Sequence, residues 1–293
     1  MPDYLQHKFD TKDFDKSEIE RFSSEDEFCS YGVELLKEFF SISISISSIE
    51  RRDSKNELVP YNKEEAALIG NLVRFNKLGS AFLEQITKKR LETSMIFFRC
   101  LAETYINLKY FLKFKDQHTL RHYIKHSLRQ EMQLIEKIKS NIAGKDEVLH
   151  IEQRMMDSIN RAFETSDFDF EEINNSTKWE SKVKKRVFEI IDPMFYSFIY
   201  GNASHSVHGN WQDLISMHLK KVDNGFIPKS EWTSPRLQVI NSLTILACDL
   251  LENYSVEVLP DSDEKNELLE AIKSLGNRCL ILDKQHELFV QSS

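Results

Sequence analysis

A chain of 293 residues with a formal net charge of -8, 41% hydrophobic and 29% charged residues has a soluble globular composition, long enough for one large core or two modest ones. That acidic balance excludes a surface coated throughout for phosphate binding and leaves room only for a local basic patch. Cys29, Cys100, Cys248 and Cys279 stand far apart without a CxxC pair, which excludes a zinc knuckle and a dense disulfide framework and fits a reducing cytoplasm.

The opening MPDYLQHKFDTKDFDKSE is too charged for a signal peptide, and no uncharged apolar run reaches the roughly 18 residues of a membrane span. Residues 1–23 carry isolated aromatics without a period and predict a loosely ordered N-terminal arm; residues 24–293 predict a single helical domain. With only 8 Gly and 6 Pro, turns must be few, and the expected fold is all-α. Ser24 and Glu27 have capping-box spacing at a helix start. The SISISIS of residues 41–47 looks like a strand, yet Phe28, Tyr31, Leu35, Phe39, Ile42, Ile46 and Ile49 recur at steps of three and four, which predicts one helix with Ile44 off its stripe. The alternating serines then read as incidental.

Asn62 and Glu65 repeat the capping-box spacing before a second long amphipathic helix. The segment from about 93 to 113 is apolar on nearly every face and predicts a central buried helix, with a bundle around it. A further amphipathic helix should close at Gly144 in a C′ position, and EVLHIEQRMMDSINRAF gives another. TSDFDFEEINNST, residues 165–177, reads as a surface loop. Trp179 to Ile191 reads as helical, and Asp192-Pro193 starts the next helix. A small β-hairpin is expected near 214–229 around its DNG turn, then a helix launched by Ser234-Pro235 and a last one from DSDEKNELLEAIKSL.

On a helix begun at Pro193, Tyr196, Tyr200, Ser204 and His208 are successive i, i+4 neighbours forming a polar row. Asn202 and His205 lie on adjoining faces, Gly209 should end the helix just past His208, and Trp211 follows. Such a row serves either a chemical site or a hydrogen-bonded seam between helices. Arg99 and Glu103 sit one turn apart inside the most apolar helix, in the less favourable charge order, so service to polar groups of another helix is the alternative to a self-contained buried bridge. The row ending at His208 is the candidate partner.

Lys109, Lys113, Lys115, Arg121, Lys125 and Arg129 are opposed within their run only by Asp116, and Lys182, Lys184, Lys185 and Arg186 form a second cluster. The two readings are a groove for RNA or another polyanion and a solvated charged face. His118, His122 and His126 stand at helical steps without a carboxylate or cysteine in ligand spacing, so no metal site and no cofactor are expected. Phosphate loops, dinucleotide fingerprints, nucleophile elbows and HExxH pairs are absent from the sequence.

With RCLAETYINLKYFL at 99–112 and YGNASHSVHGNW at 200–211, the chain resembles the prokaryotic family catalogued as domain of unknown function 5677, over roughly residues 30–255. That family looks like an offshoot of the helical HEPN (higher eukaryotes and prokaryotes nucleotide-binding) superfamily, many members of which are metal-independent ribonucleases of toxin and antiphage systems. The resemblance implies an Arg, a polar residue and then a His. Here the matching place reads Gly201-Asn202 and then His208, with the arginine absent, so the guanidinium would come from Arg99 or from a partner subunit. It implies a cytoplasmic homodimer acting on RNA, with His208, Arg99, Asn202, His205, Ser204 and Glu103 at the catalytic site. Tyr196, Tyr200, Trp211, Lys109, Lys113, Arg121 and Lys125 would bind. The rival expectation is a noncatalytic nucleotide- or RNA-binding or regulatory module of a defence or stress system, with an antitoxin or other partner.

Overall fold

The computed structural model describes residues 16–145, 147–174, 189–190 and 201–292. A short α1 (Lys16–Ile19) sets Ile19 into the core, and α2 (Glu25–Ser47) starts after Ser24. Half of the expected cap forms there: the Glu27 carboxylate accepts from the Ser23 backbone N–H at 2.8 Å, while Ser24 makes no side-chain cap. SISISIS is helical because its period buries Ile42 and Ile46 and leaves Ile44 in solvent.

Its serines are not incidental. Ser43 Oγ donates to Asn76 Oδ1 at 2.7 Å, and Asn76 Nδ2 donates to the Ser43 carbonyl at 3.1 Å and to Ser47 Oγ at 2.9 Å. Asn76 belongs to α3 (Lys63–Thr87), whose Asn62–Glu65 capping box is complete. The two helices approach so closely that a Cβ on Gly79 would lie 1.9 Å from Phe40 Cζ. Phe40 is itself buried, so its ring has little room to yield. Gly79→Ala should therefore lower unfolding stability by about 1–3 kcal/mol or more, read as a fall in the urea midpoint; an unchanged midpoint would mean that the ring moves freely.

Helix α4 (Leu91–Lys113) is the central helix expected from its composition, burying Phe98, Leu101, Ala102, Tyr105, Ile106, Leu108, Phe111 and Leu112. Around it, α2, α3, α10 (Leu237–Val258) and α11 (Asp263–Ser292) close the main core. The all-α bundle is thus as the periodicity indicates.

A second, smaller core joins α5 (Gln117–Ala143), α6 (His150–Ser166) and α7 (Phe170–Asn174) through Leu128, Met132, Ile135, Ile138, Ile159, Phe163, Phe168 and Ile173. This corrects the surface loop expected at 165–177 over its described part. Asp167 turns the chain at φ 50°, Phe168 and Ile173 are buried, and Phe170 stacks on Phe163 with centroids 4.1 Å apart. Gly144 does follow α5, but with φ -98°, so α5 ends without a left-handed cap.

After α8 (Asn202–His208) and α9 (Trp211–Asp213), residues Leu214–His218 form a π-helical turn rather than the start of a strand. Strands β1 (Leu219–Val222) and β2 (Gly225–Pro228) then pair antiparallel, Val222 opposite Gly225, across the Asp223-Asn224 turn. Gly225 has φ 153°, a backbone conformation that side chains disfavour. Among the described residues, no helix is long and apolar enough to cross a membrane.

Candidate active site

The buried Ala203 fixes which face of α8 meets the bundle, and its neighbour Ser204 then faces α4. Arg99 Nε donates to Ser204 Oγ at 3.0 Å, and Arg99 Nη1 donates to Glu103 Oε2 at 3.0 Å. The Arg99 side chain is only 13% exposed, whereas Glu103 is 44% exposed. The pair thus does serve a second helix, at the row that ends in His208.

Gly209 adopts φ 55° and donates its N–H to the His205 carbonyl at 3.0 Å, ending α8 immediately after His208. His208 stands exposed one turn beyond Ser204. His205, three residues before it, shares that side of the helix.

Asn210 holds the next turn. Its Oδ1 accepts from the Asp213 N–H at 3.2 Å, which fixes the amide orientation and turns Nδ2 toward His205 Nδ1 at 2.5 Å. Nδ1 of His205 is therefore the acceptor, and the ring carries its proton on Nε2, free of that contact to act as a donor. Asp213 is buried, and His218 Nε2 lies 3.3 Å from its Oδ2. Trp211 meets Phe226 of β2 edge-on, centroids 5.4 Å apart.

Asn210, Asp213 and His218 are absent from the sequence-derived set. The Asn-x-x-Asp spacing, an N-cap followed by an acidic first turn, was signal enough for the first. Asp213 and His218 are five residues apart, a step that meets on a π-helical turn and not along the strand expected there.

The basic run goes elsewhere. Lys109 pairs with Asp249 of α10 at 2.9 Å, and the Tyr105 hydroxyl donates to the same carboxylate at 2.6 Å. Burial, with the Asp249 charge beside it, holds the Tyr105 phenol far above its ordinary range, so it remains a donor. Lys115 pairs with Glu257, Lys125 with Glu172 at 3.6 Å, and Lys113 donates to the Glu189 carbonyl. Arg121 and Lys125 lie over the Phe168 ring, at 4.8 and 5.0 Å from its centroid.

At about 1.5 Å of rise per residue, Lys109 and Lys113 stand roughly 15 and 21 Å along α4 from Arg99. They line a separate cleft of about 460 Å³ with Asn253 and Glu257. The structure thus brings Arg99, Glu103 and Ser204 together, with His205 and His208 on the same helix as Ser204 and Trp211 just beyond it, and sets Lys109 and Lys113 apart from them.

Tyr196, Tyr200, the 182–186 basic cluster and the helix start at Pro193 lie outside the described residues, as does the Asn202 side chain. The His118 and His122 rings meet at a tilt of 35°, centroids 4.0 Å apart. Among the described residues, no group of three or more His, Cys, Asp or Glu is placed to hold a metal ion.

The model of a family of unknown function, DUF5677, matches residues 65–226, a span from α3 to β2 that includes the whole gathered site. Neither a curated protein nor a solved structure matches the chain.

Proposed function

The chain belongs to DUF5677, whose description assigns no activity; from the site, together with the resemblance to HEPN proteins, we propose a metal-independent ribonuclease of a toxin or antiphage-type system. The observation that carries this reading is the hydrogen bond that ties the Arg99 guanidinium to Ser204, whose Cβ lies one helical turn, on the order of 5–6 Å, from that of the exposed His208. His208 takes the proton of the ribose 2′-hydroxyl. The 2′-oxygen forms its bond to phosphorus, the bond to the 5′-oxygen breaks, and that oxygen leaves with the proton that His208 returns to it.

Arg99 stabilises the charge on the phosphorane, and Glu103 keeps its fork oriented. His205 donates from Nε2 to a phosphate oxygen, and in this reading Ser204 and Asn202 would help to orient that phosphate. The resemblance to HEPN proteins adds a homodimer in which two such helices line one cleft, with an antitoxin or other defence partner.

This chemistry dictates its products. Purified protein incubated with single-stranded RNA in chelator should leave 2′,3′-cyclic phosphate and 5′-hydroxyl ends. Failure to cut under those conditions, or cutting that leaves 3′-hydroxyl ends, would remove the proposal.

One observation favours a second reading. The Arg99 guanidinium is bound within the chain by both Ser204 and Glu103, as it would be in a seam that only holds helices. The same groups would then recognise a nucleotide or RNA without cutting it.

A further inference from the structure

We infer that the β1–β2 hairpin and Trp211 form a stacking platform for single-stranded RNA beside the His205–His208 site; this rests on the RNA reading above and extends it to substrate binding. Trp211 is 57% and Phe226 45% exposed, although two large aromatic side chains in edge-to-face contact gain from burial. Asn210 ties this platform to the reacting groups: its side chain meets His205, and Trp211 is the next residue.

Charge selects the occupant. Lys221 is the cross-strand partner of Phe226 and so shares its face of the hairpin. Both Lys220 and Lys221 are exposed and carry no ion pair among the described residues, whereas Lys109, Lys115 and Lys125 are each paired with a carboxylate. Between residues 214 and 229 the sole acid is Asp223, against Lys220, Lys221 and Lys229. Exposed aromatic faces next to unpaired cations, in a chain that is acidic as a whole, suit alternating bases and phosphates. A strand whose scissile phosphate lies at His208 would place a flanking base on Trp211 and Phe226 and a phosphate at Lys221.

The test uses the full chain and a fluorescein-labelled 12-nucleotide single-stranded RNA carrying 2′-O-methyl groups, which lacks the attacking hydroxyl and reports binding apart from cleavage. Anisotropy titrations should show Trp211→Ala and Phe226→Ala each weakening binding roughly tenfold, and Trp211→Phe weakening it less. Lys221→Ala should weaken binding and reduce the salt slope of log K by about 0.7. Because Lys221 is exposed and makes no contact that the fold needs, it carries the test even if an aromatic variant misfolds.

Wild-type binding that all three alanine variants retain overturns the inference, as does a wild type that does not bind. Dissociation of a dimer by Trp211→Ala with RNA affinity unchanged also overturns it, since a second copy would then occupy the face. Normal platform behaviour without cleavage of ordinary RNA removes the nuclease reading alone, and cleavage with unaltered variant binding removes the platform alone.

Discussion

Replacing His208 by alanine should slow RNA cleavage by about 10²- to 10⁴-fold, the usual range for loss of a positioned acid–base group. Stability should stay within about 0.5 kcal/mol of wild type, because the imidazole is exposed and makes no hydrogen bond among the described residues. Arg99→Ala should behave differently, losing both rate and stability. Its side chain is mostly buried, and its removal takes the guanidinium donor away from Ser204 and Glu103. The half-exposed Glu103 can return to water, so the stability loss should be about 1–2 kcal/mol rather than that of a sealed ion pair. Arg99→Lys keeps the charge but not the fork that meets two partners at once, and should recover only part of the rate. Single-turnover cleavage and urea melts on the three variants read both quantities. A His208→Ala protein that cuts at the wild-type rate ends the acid–base assignment, and an Arg99→Ala protein that loses stability but no rate makes the guanidinium a clamp between helices.

The parts of this protein that are legible in its sequence are those fixed by short-range periodicity and backbone geometry. SISISIS is helical because six apolar positions before and within it, Phe28 to Ile46, share one stripe. Gly209 ends α8 because the turn needs a positive φ, and the DNG turn sets the hairpin register. Segment 165–174 does not show its packing in the sequence, because its acidic residues and turn formers mask two apolar positions, Phe168 and Ile173, that matter only against α5 and α6. The ion pairs of the basic run are hidden for a similar reason. Asp249, Glu257 and Glu172, which pair with its lysines, are distant in the chain and invisible to a count of local charge. At the site, the histidines and Arg99 stood out as polar groups in apolar surroundings. Asp213 and His218 did not, since their contact exists only on the π-helical turn.

The same blindness to distant pairs hid the contact on which stability should depend most. Arg278 of α11 and Glu38 of α2 form a two-pronged bridge with side chains 4% and 7% exposed, and one prong, from Nη1 to Oε2, measures 2.9 Å. The surroundings are dry: burial pushes the adjacent Cys279 thiol up to about 12, and it also raises Cys248 well above its ordinary range. Arg278→Ala would strand the Glu38 carboxylate there, and should reduce unfolding stability by about 3–5 kcal/mol, a large share of what holds a domain together. The bridge is not fully satisfied, because the buried Arg278 Nε has no hydrogen-bond partner among the described residues. Replacing both residues together, Arg278→Met with Glu38→Leu, should therefore return most of the lost stability or exceed wild type, as apolar substitutes for buried pairs often do. Urea midpoints for the two singles and the double close the cycle. A single variant that loses less than about 1 kcal/mol would show that Glu38 reaches water once its partner is gone, and that α2 and α11 are held by their apolar seam alone.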